Sequence, residues 1–291
     1  MVEGVIELPE GELDLKLSME CGQTFVWNKW SGKPLYEDTS CRKFYKVHGE
    51  DLVLLWQEGT DLYYRGTMEE EEIYNLLNLD VSMEELEEEL SRDEIIEEAF
   101  EDFRGLRILN DEFFPTLISY IISAQMQIPR IKRMVNRIAE KWGSTVAYEN
   151  QEFNRFPTPE ELAQASEEEL RDLGMGYRAS YVKETTEQVL DGEVDPSKVR
   201  DMSYPEAQEE LKKLTGVGDK VADCVLLFSL GFHDSYPLDT WGKKVIGEVY
   251  PEFEDSRYWK VAEDMREYFG EYAGWAHEYL FHWGRENREI L

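Results

Sequence analysis

The segment from Ser203 to Cys224 leaves the backbone few options. Ser203, Pro205 and Glu206 read as an N-cap, an early helical proline and the far half of a capping box, so a helix opens there. It runs to Leu214 and breaks at Thr215-Gly-Val-Gly218, where Gly216 and Gly218 allow a tight turn that other residues resist. A second helix starts near Asp219. The unit, spanning about residues 203–230, is therefore helix, hairpin, helix, and the amides opening its second helix have no partners within that helix. Such a helix start holds a phosphate without regard to base sequence. Lys220 lies on the first turn, and Cys224, four residues on, shares its face.

An amine in that position can attack a sugar or carbonyl carbon and form a Schiff base. Asp239, in Pro237-Leu-Asp-Thr-Trp-Gly-Lys-Lys244, falls where an N-cap belongs. A capping carboxylate can also steady a positive charge or accept a proton, so the two roles are compatible. On the residues alone, two readings stay open. In one, phosphate and nucleophile meet at the hairpin. In the other, the glycines make a plain turn, Lys220 is solvated and Cys224 is a small core hydrophobe.

Gly216-Val-Gly-Asp-Lys-Val-Ala-Asp-Cys224, followed by Tyr236-Pro-Leu-Asp239, resembles the helix-hairpin-helix and Gly/Pro…Asp signature of base-excision DNA glycosylases in its lysine-bearing form. The resemblance is to the 8-oxoguanine DNA glycosylase/AP lyase family, and it extends over five segments. It implies Lys220 as nucleophile and Asp239 as its catalytic carboxylate. Cys21-Gly-Gln-Thr-Phe-Val-Trp27 resembles the loop whose glycine carbonyl, here that of Gly22, meets the N7 proton of oxidised guanine, with Gln23 beside it in the base pocket. Cys224, Pro237, His277 and Phe281 complete the implied pocket, Phe281 and Cys224 covering opposite faces of the flipped base. Gln125 and Arg130, in Ile122-Ser-Ala-Gln-Met-Gln-Ile-Pro-Arg130, match positions that fill the vacated stack and read the orphaned cytosine. Tyr177 matches a wedge and Arg178 a second cytosine reader, and Gly216 and Gly218 would hold the DNA backbone. The sequence departs from the better-known eukaryotic members at Gln125 (asparagine there), His277 (glutamine) and Trp241 (histidine).

The resemblance implies double-stranded DNA containing oxidised guanine as partner, no metal in the chemistry, no small-molecule cofactor, and a structural monovalent cation at the hairpin. Three rival readings stand beside it. A glycosylase for alkylated bases does not depend on a lysine nucleophile. A non-catalytic DNA-binding hairpin needs neither Lys220 nor Asp239. A Schiff-base enzyme for small metabolites has no use for Gln125, Arg130, Tyr177 and Arg178.

Charge sits awkwardly with DNA. The chain has 31 basic and 63 acidic residues, a formal net charge of −32, whereas DNA-binding domains carry a basic footprint. The distribution is uneven. Between Pro115 and Ala147, Arg130, Lys132, Arg133, Arg137 and Lys141 face only Glu140, while Glu84–Asp102 holds eleven acids against Arg92. An acidic surface with a spared basic face suits concentrated salt, where self-repulsion is screened, and suggests the cytoplasm of a halophilic archaeon. Cys21, Cys41 and Cys224 are too few and scattered for a disulfide framework or a four-thiolate iron–sulfur cluster. His48, His233, His277 and His282 show no zinc spacing, so no metal site is expected. Neither a signal segment nor an apolar run of membrane-spanning length is evident, which suggests no membrane partner. Monomer is the default state.

The expected fold class is α+β: an N-terminal antiparallel β-sheet subdomain, 1–80, followed by a mostly helical glycosylase core, 81–291. Leu13, Leu15 and Leu17 alternate with Asp14 and Lys16 in a strand-like pattern. Ser31-Gly-Lys33, His48-Gly-Glu-Asp51 and Glu58-Gly-Thr-Asp61 read as hairpin turns. Past Thr67 the chain reads as helical, with starts at Thr158-Pro-Glu-Glu161 and Ser166-Glu-Glu-Glu169 and stops at Gly143 and Gly174.

Overall fold

The computed structural model describes residues 2–30, 42–149 and 151–287. Strands β1 (Val2–Glu7), β2 (Asn28–Lys29), β3 (Lys43–His48), β4 (Asp51–Glu58) and β5 (Asp61–Gly66) form one antiparallel sheet, ordered β1-β5-β4-β3-β2. The turns at Gly49 and Gly59 close the β3–β4 and β4–β5 hairpins as read. Ser31-Gly-Lys33 and Cys41 lie outside the described residues. Leu52-Val-Leu-Leu55 of β4 is buried throughout, the mark of a strand covered on both faces. Val53 and Leu55 pack with Ile6, Trp27, Leu62 and the helix Glu70–Leu77, whereas Leu52 and Leu54 pack with Tyr148 and Phe153.

That second cover adds a β-hairpin to the mostly helical part past Thr67. Thr145–Tyr148 (β6) and Gln151–Asn154 (β7) pair as a hairpin. Val146, Tyr148 and Phe153 land on the outer face of the sheet, and Trp30 stacks on Phe153 at 5.3 Å. The hairpin exists because an apolar sheet face needs a lid. The start of the chain also differs from expectation, since Leu15–Glu20 is a helix and not a strand. Asp14 caps it, accepting from Leu17 N at 2.8 Å. The Gln57 side chain accepts from Leu15 N at 2.8 Å and donates to Leu13 O at 2.7 Å, meeting the backbone needs that a strand partner would have met.

Helices past Gly66 enclose a larger core. The helix-hairpin-helix forms with a shorter first helix than read: Tyr204–Leu211 opens on the Ser203/Glu206 capping box and ends before Leu214, and Gly218 precedes the helix Asp219–Ser229. Thr158 with Glu161 and Ser166 with Glu169 make two further capping boxes, and Ile128–Trp142 stops at Gly143. Cys21 and Phe25 join this helical core, so the loop after the first helix is a wall of the helical part.

A buried charge pair stitches these parts together. Lys46 on β3 is 0% exposed, and its Nζ lies 2.7 Å from Asp111 Oδ1. The other Asp111 oxygen accepts from the Thr24 hydroxyl at 2.5 Å, and Asp111 N donates to Phe228 O at 2.7 Å. The sheet, the loop at Thr24 and the hairpin helix thus meet at one residue, Asp111. Among the described residues, no helix is long and apolar enough to cross a membrane.

Candidate active site

A cavity of about 610 Å³ opens between the loop at Gly22, the hairpin helix and the C-terminal helix Ala273–Glu286. Its lining includes both expected catalytic residues, Lys220 and Asp239, and all six expected pocket residues: Gly22, Gln23, Cys224, Pro237, His277 and Phe281. Gln125 stands at its rim. The volume falls within the range of small-molecule sites, enough for a single extruded base.

Lys220 is half-buried and faces this cavity, its Nζ 4.7 Å from the centre of the Tyr120 ring. Cys224 lies below it; burial pushes the thiol up to about 12, with Lys220 pulling the other way. Asp239 caps the helix Thr240–Val249, Oδ1 accepting from Gly242 N at 2.6 Å. The cap therefore fixes the carboxylate at the cavity wall. Gly22 has φ of 113°, and a Cβ there would stand 2.5 Å from Ile128 Cδ1, so only glycine fits.

Gln23 lines the wall, but its amide is engaged elsewhere. Nε2 donates to Arg107 O at 2.7 Å and Ser18 O at 3.1 Å, and Oε1 accepts from Leu109 N at 2.8 Å. It props the loop at Gly22 from behind. His277 is buried between Tyr236 and Phe281, with ring centroids at 5.0 and 6.1 Å. Its Nδ1 stands 3.4 Å from Glu278 Oε1, an electrostatic contact short of hydrogen-bond geometry, and neither ring nitrogen has a hydrogen-bond partner. Burial opposes charge on Glu278, yet His277 and His282 beside it bring its carboxyl down to about 2.

Apart from Gln125, the expected DNA-binding residues lie outside the cavity. Gly216 has φ of 80° and packs on Tyr181, leaving no room for a Cβ, whereas a Cβ on Gly218 would point into open space. Thr185 Oγ1 donates to Thr215 O, and Thr215 N donates to Gln188 Oε1 at 2.8 Å, so the helix Arg178–Leu190 braces the hairpin. Asp219, on the first turn, pairs with Lys212 at 2.8 Å. Gln125 is exposed in the left-handed region at φ of 53°. Arg130 is exposed and donates to Gly174 O at 3.2 Å, and Tyr177 is 50% exposed. Arg178 is placed differently from a projecting reader: it is buried, donating to Ala124 O and to Met175 O. Its guanidinium holds the turn that carries Gln125.

Sequence reasoning missed three groups here. Tyr120 sits in an apolar run and reads as core, with no signal that its ring lies beneath the amine. Asp223 and Tyr258 were missed because their partnership is tertiary. Asp223 is 0% exposed and accepts from Tyr204 at 2.7 Å, Gln208 at 2.7 Å and Tyr258, whose hydroxyl also accepts from Leu238 N at 3.1 Å. This chain fixes the Pro237–Asp239 segment against the hairpin helix. Burial lifts the Asp223 carboxyl from 3.8 to about 6, against the pull of its three donors. A raised folded-state value means that Asp223 adds stability below pH 3.8, which is lost as pH rises through about 6. Relative to Asp223→Asn, the stability of the wild type should therefore fall over that window by up to about 3 kcal/mol and stay level above it. Parallel melting profiles across the window would remove Asp223 as the source.

A family model described as the 8-oxoguanine DNA glycosylase N-terminal domain matches residues 5–117, and one described as HhH-GPD superfamily base excision DNA repair protein matches residues 118–271. The chain is 29% identical to a probable N-glycosylase/DNA lyase of Methanothermobacter thermautotrophicus, over 97% of this chain and 96% of that protein. It is 31% identical to the N-glycosylase/DNA lyase OGG1 of Arabidopsis thaliana, over 95% of this chain and 78% of that protein. The crystal structure of the Clostridium acetobutylicum 8-oxoguanine glycosylase/lyase, in complex with double-stranded DNA containing cytosine opposite 8-oxoguanine, matches with a TM-score of 0.85 at 33% identity, covering 95% of this chain and 93% of that one. Fold and site thus define a base-excision DNA glycosylase of the helix-hairpin-helix class. Within that class, the chain belongs to the 8-oxoguanine DNA glycosylase family of N-glycosylase/DNA lyases.

Proposed function

We propose that this enzyme excises 8-oxoguanine opposite cytosine from duplex DNA and then cuts the strand. The observation that carries this reading is the convergence of Lys220, Asp239, Gly22, Cys224, His277 and Phe281 on one base-sized cavity. A base must leave the stack to reach such a cavity, at a cost of a few kcal/mol that stacking on Phe281 offsets. The hairpin amides hold the backbone, Gln125 and Tyr177 occupy the gap, and Arg130 meets the orphaned cytosine. Lys220 Nζ attacks C1′ as the glycosidic bond breaks, and the departing base takes up a proton. Asp239 stabilises the developing positive charge on the sugar. The amine adduct opens to a Schiff base, a proton leaves C2′, and the bond from C3′ to the 3′ phosphate breaks. A structural monovalent cation fits the hairpin: Leu214 O accepts from Val217 N and Thr215 O from Thr185, which leaves each carbonyl a second lone pair.

Excision from a duplex bearing a single 8-oxoguanine opposite cytosine should exceed excision from the same duplex with guanine or with 3-methyladenine by at least about 10²-fold. Preference for the alkylated base would transfer the assignment to that class. Lys220 in the cavity favours oxidised guanine, because alkylated-base excision does not need a lysine nucleophile.

Surface charge supports a second part of the proposal, that this is a cytoplasmic enzyme of a halophilic microbe. At a net charge of −32 the folded state repels itself until salt screens it. The melting temperature should climb by several degrees from dilute buffer to molar potassium chloride and then level off. A flat or falling profile would overturn the salt adaptation and leave the repair function untouched.

A further inference from the structure

Behind the base cavity, a thiol, a carboxylate and an imidazole come together. Cys21, Glu278 and His282 are all buried, and one ligand atom from each lies within 4.8 Å of the other two. His282 is only 7% exposed, yet its Nε2 makes no hydrogen bond; it stands 3.7 Å from Glu278 Oε2. A buried ring nitrogen that faces a carboxylate without a hydrogen bond is poorly satisfied, which makes it a poor choice for packing alone. Glu278 and His282 are four residues apart on the C-terminal helix and share a face, and Cys21 reaches them from the end of the first helix. Glu20, Asp102 and Glu286 line the recess outside Cys21 and His282, with Lys16 and Arg285 also at its rim.

We propose that Cys21, Glu278 and His282 form a binding site for a divalent cation of the zinc class. One sulfur, one oxygen and one nitrogen are the donors that zinc takes up tetrahedrally, whereas magnesium and calcium demand oxygen. Zinc bonds of about 2.0–2.3 Å put tetrahedral ligands about 3.5 Å apart, so the three atoms need to close by only about 1 Å. The thiol proton passes to solvent as the sulfur binds. Cys21 and Glu278 also line the base cavity, so the fourth position opens toward it. A bound ion would clamp Gly22 to the helix carrying His277 and Phe281, tying metal occupancy to the shape of the base pocket. The site is independent of which lesion the enzyme prefers.

Cobalt(II) is the probe, added to chelator-treated full-length protein. The wild type should show a near-ultraviolet thiolate-to-cobalt band and the strong visible absorption of four-coordinate cobalt, both displaced by one equivalent of zinc. Zinc should also raise the melting temperature, as any ligand of the native state does. Cys21→Ser should lose the thiolate band, His282→Gln should bind at least about tenfold more weakly, and Cys224→Ser should keep the wild-type cobalt spectrum. Melting curves in chelator establish that each variant is folded, and His282→Gln carries the test should Cys21→Ser fail to fold. Absence of the thiolate band in wild type, its survival in Cys21→Ser, or undiminished binding by His282→Gln would overturn the proposal.

Discussion

Replacing Lys220 with Gln abolishes the borohydride-trapped complex on 8-oxoguanine duplex DNA and lowers strand cleavage by on the order of 10³-fold or more. Glutamine keeps most of the side chain's length and polarity but has no amine to attack C1′. Duplex affinity should change little, because the hairpin amides at Gly216–Asp219 hold phosphate without the lysine. Loss of chemistry with retained binding is the signature to look for, read by trapping and by gel shift on the same preparation. Asp239→Asn is the natural companion, since an asparagine oxygen can still accept from Gly242 N and keep the helix capped. A fall in its turnover then reports the missing charge. If Lys220→Gln still traps at the wild-type level, another amine is the nucleophile, and Lys243, which also lines the cavity, is the one to replace next.

Lys46→Met should cost about 3–5 kcal/mol of stability, because it strands the Asp111 carboxylate in the interior without its cation. For a chain of this size that corresponds to a drop of roughly 6–10 °C in melting temperature. Asp111 also anchors Thr24 and Phe228, so the damage should reach the loop at Gly22 and show as reduced excision beyond the loss of folded protein. The double variant Lys46→Met, Asp111→Leu separates charge from packing. Recovery of most of the lost stability identifies the stranded charge as the cause, whereas no recovery points to lost packing around the Lys46 stem.

What the sequence disclosed was local. Capping boxes at Ser203, Thr158 and Ser166, the Gly143 stop and the Asp239 cap all depend on residues within one helical turn, and each formed as read. What it concealed was decided across the fold. Leu13–Leu17 alternates like a strand, but Gln57 took up its backbone groups and a helix resulted. β6 and β7 are short, and only the uncovered face of the sheet gives them a reason to pair. The family's motifs led to residues that line one cavity, whereas the posture of each is set by tertiary partners that no motif names. Gln23 faces backbone groups and Arg178 is folded inward, each because a buried carbonyl lay within reach. Glu278 lay beside His277 in plain view, yet nothing local connects it with Cys21.

The turn at Ala124–Gln125 has a kinetic consequence. A non-glycine residue at φ of 53° lies in a region of about 1–2 kcal/mol conformational cost, and the bond from Arg178 to Ala124 O holds it there. That cost is met once, during folding, and does not recur at each encounter with a duplex. Under the proposed function, the residue that enters the base stack is thus already shaped before it meets DNA, so sampling a site should demand distortion of the DNA alone. Undamaged pairs, which resist that distortion most, should then be released quickly, with the time spent per base set by the duplex and not by refolding of the loop.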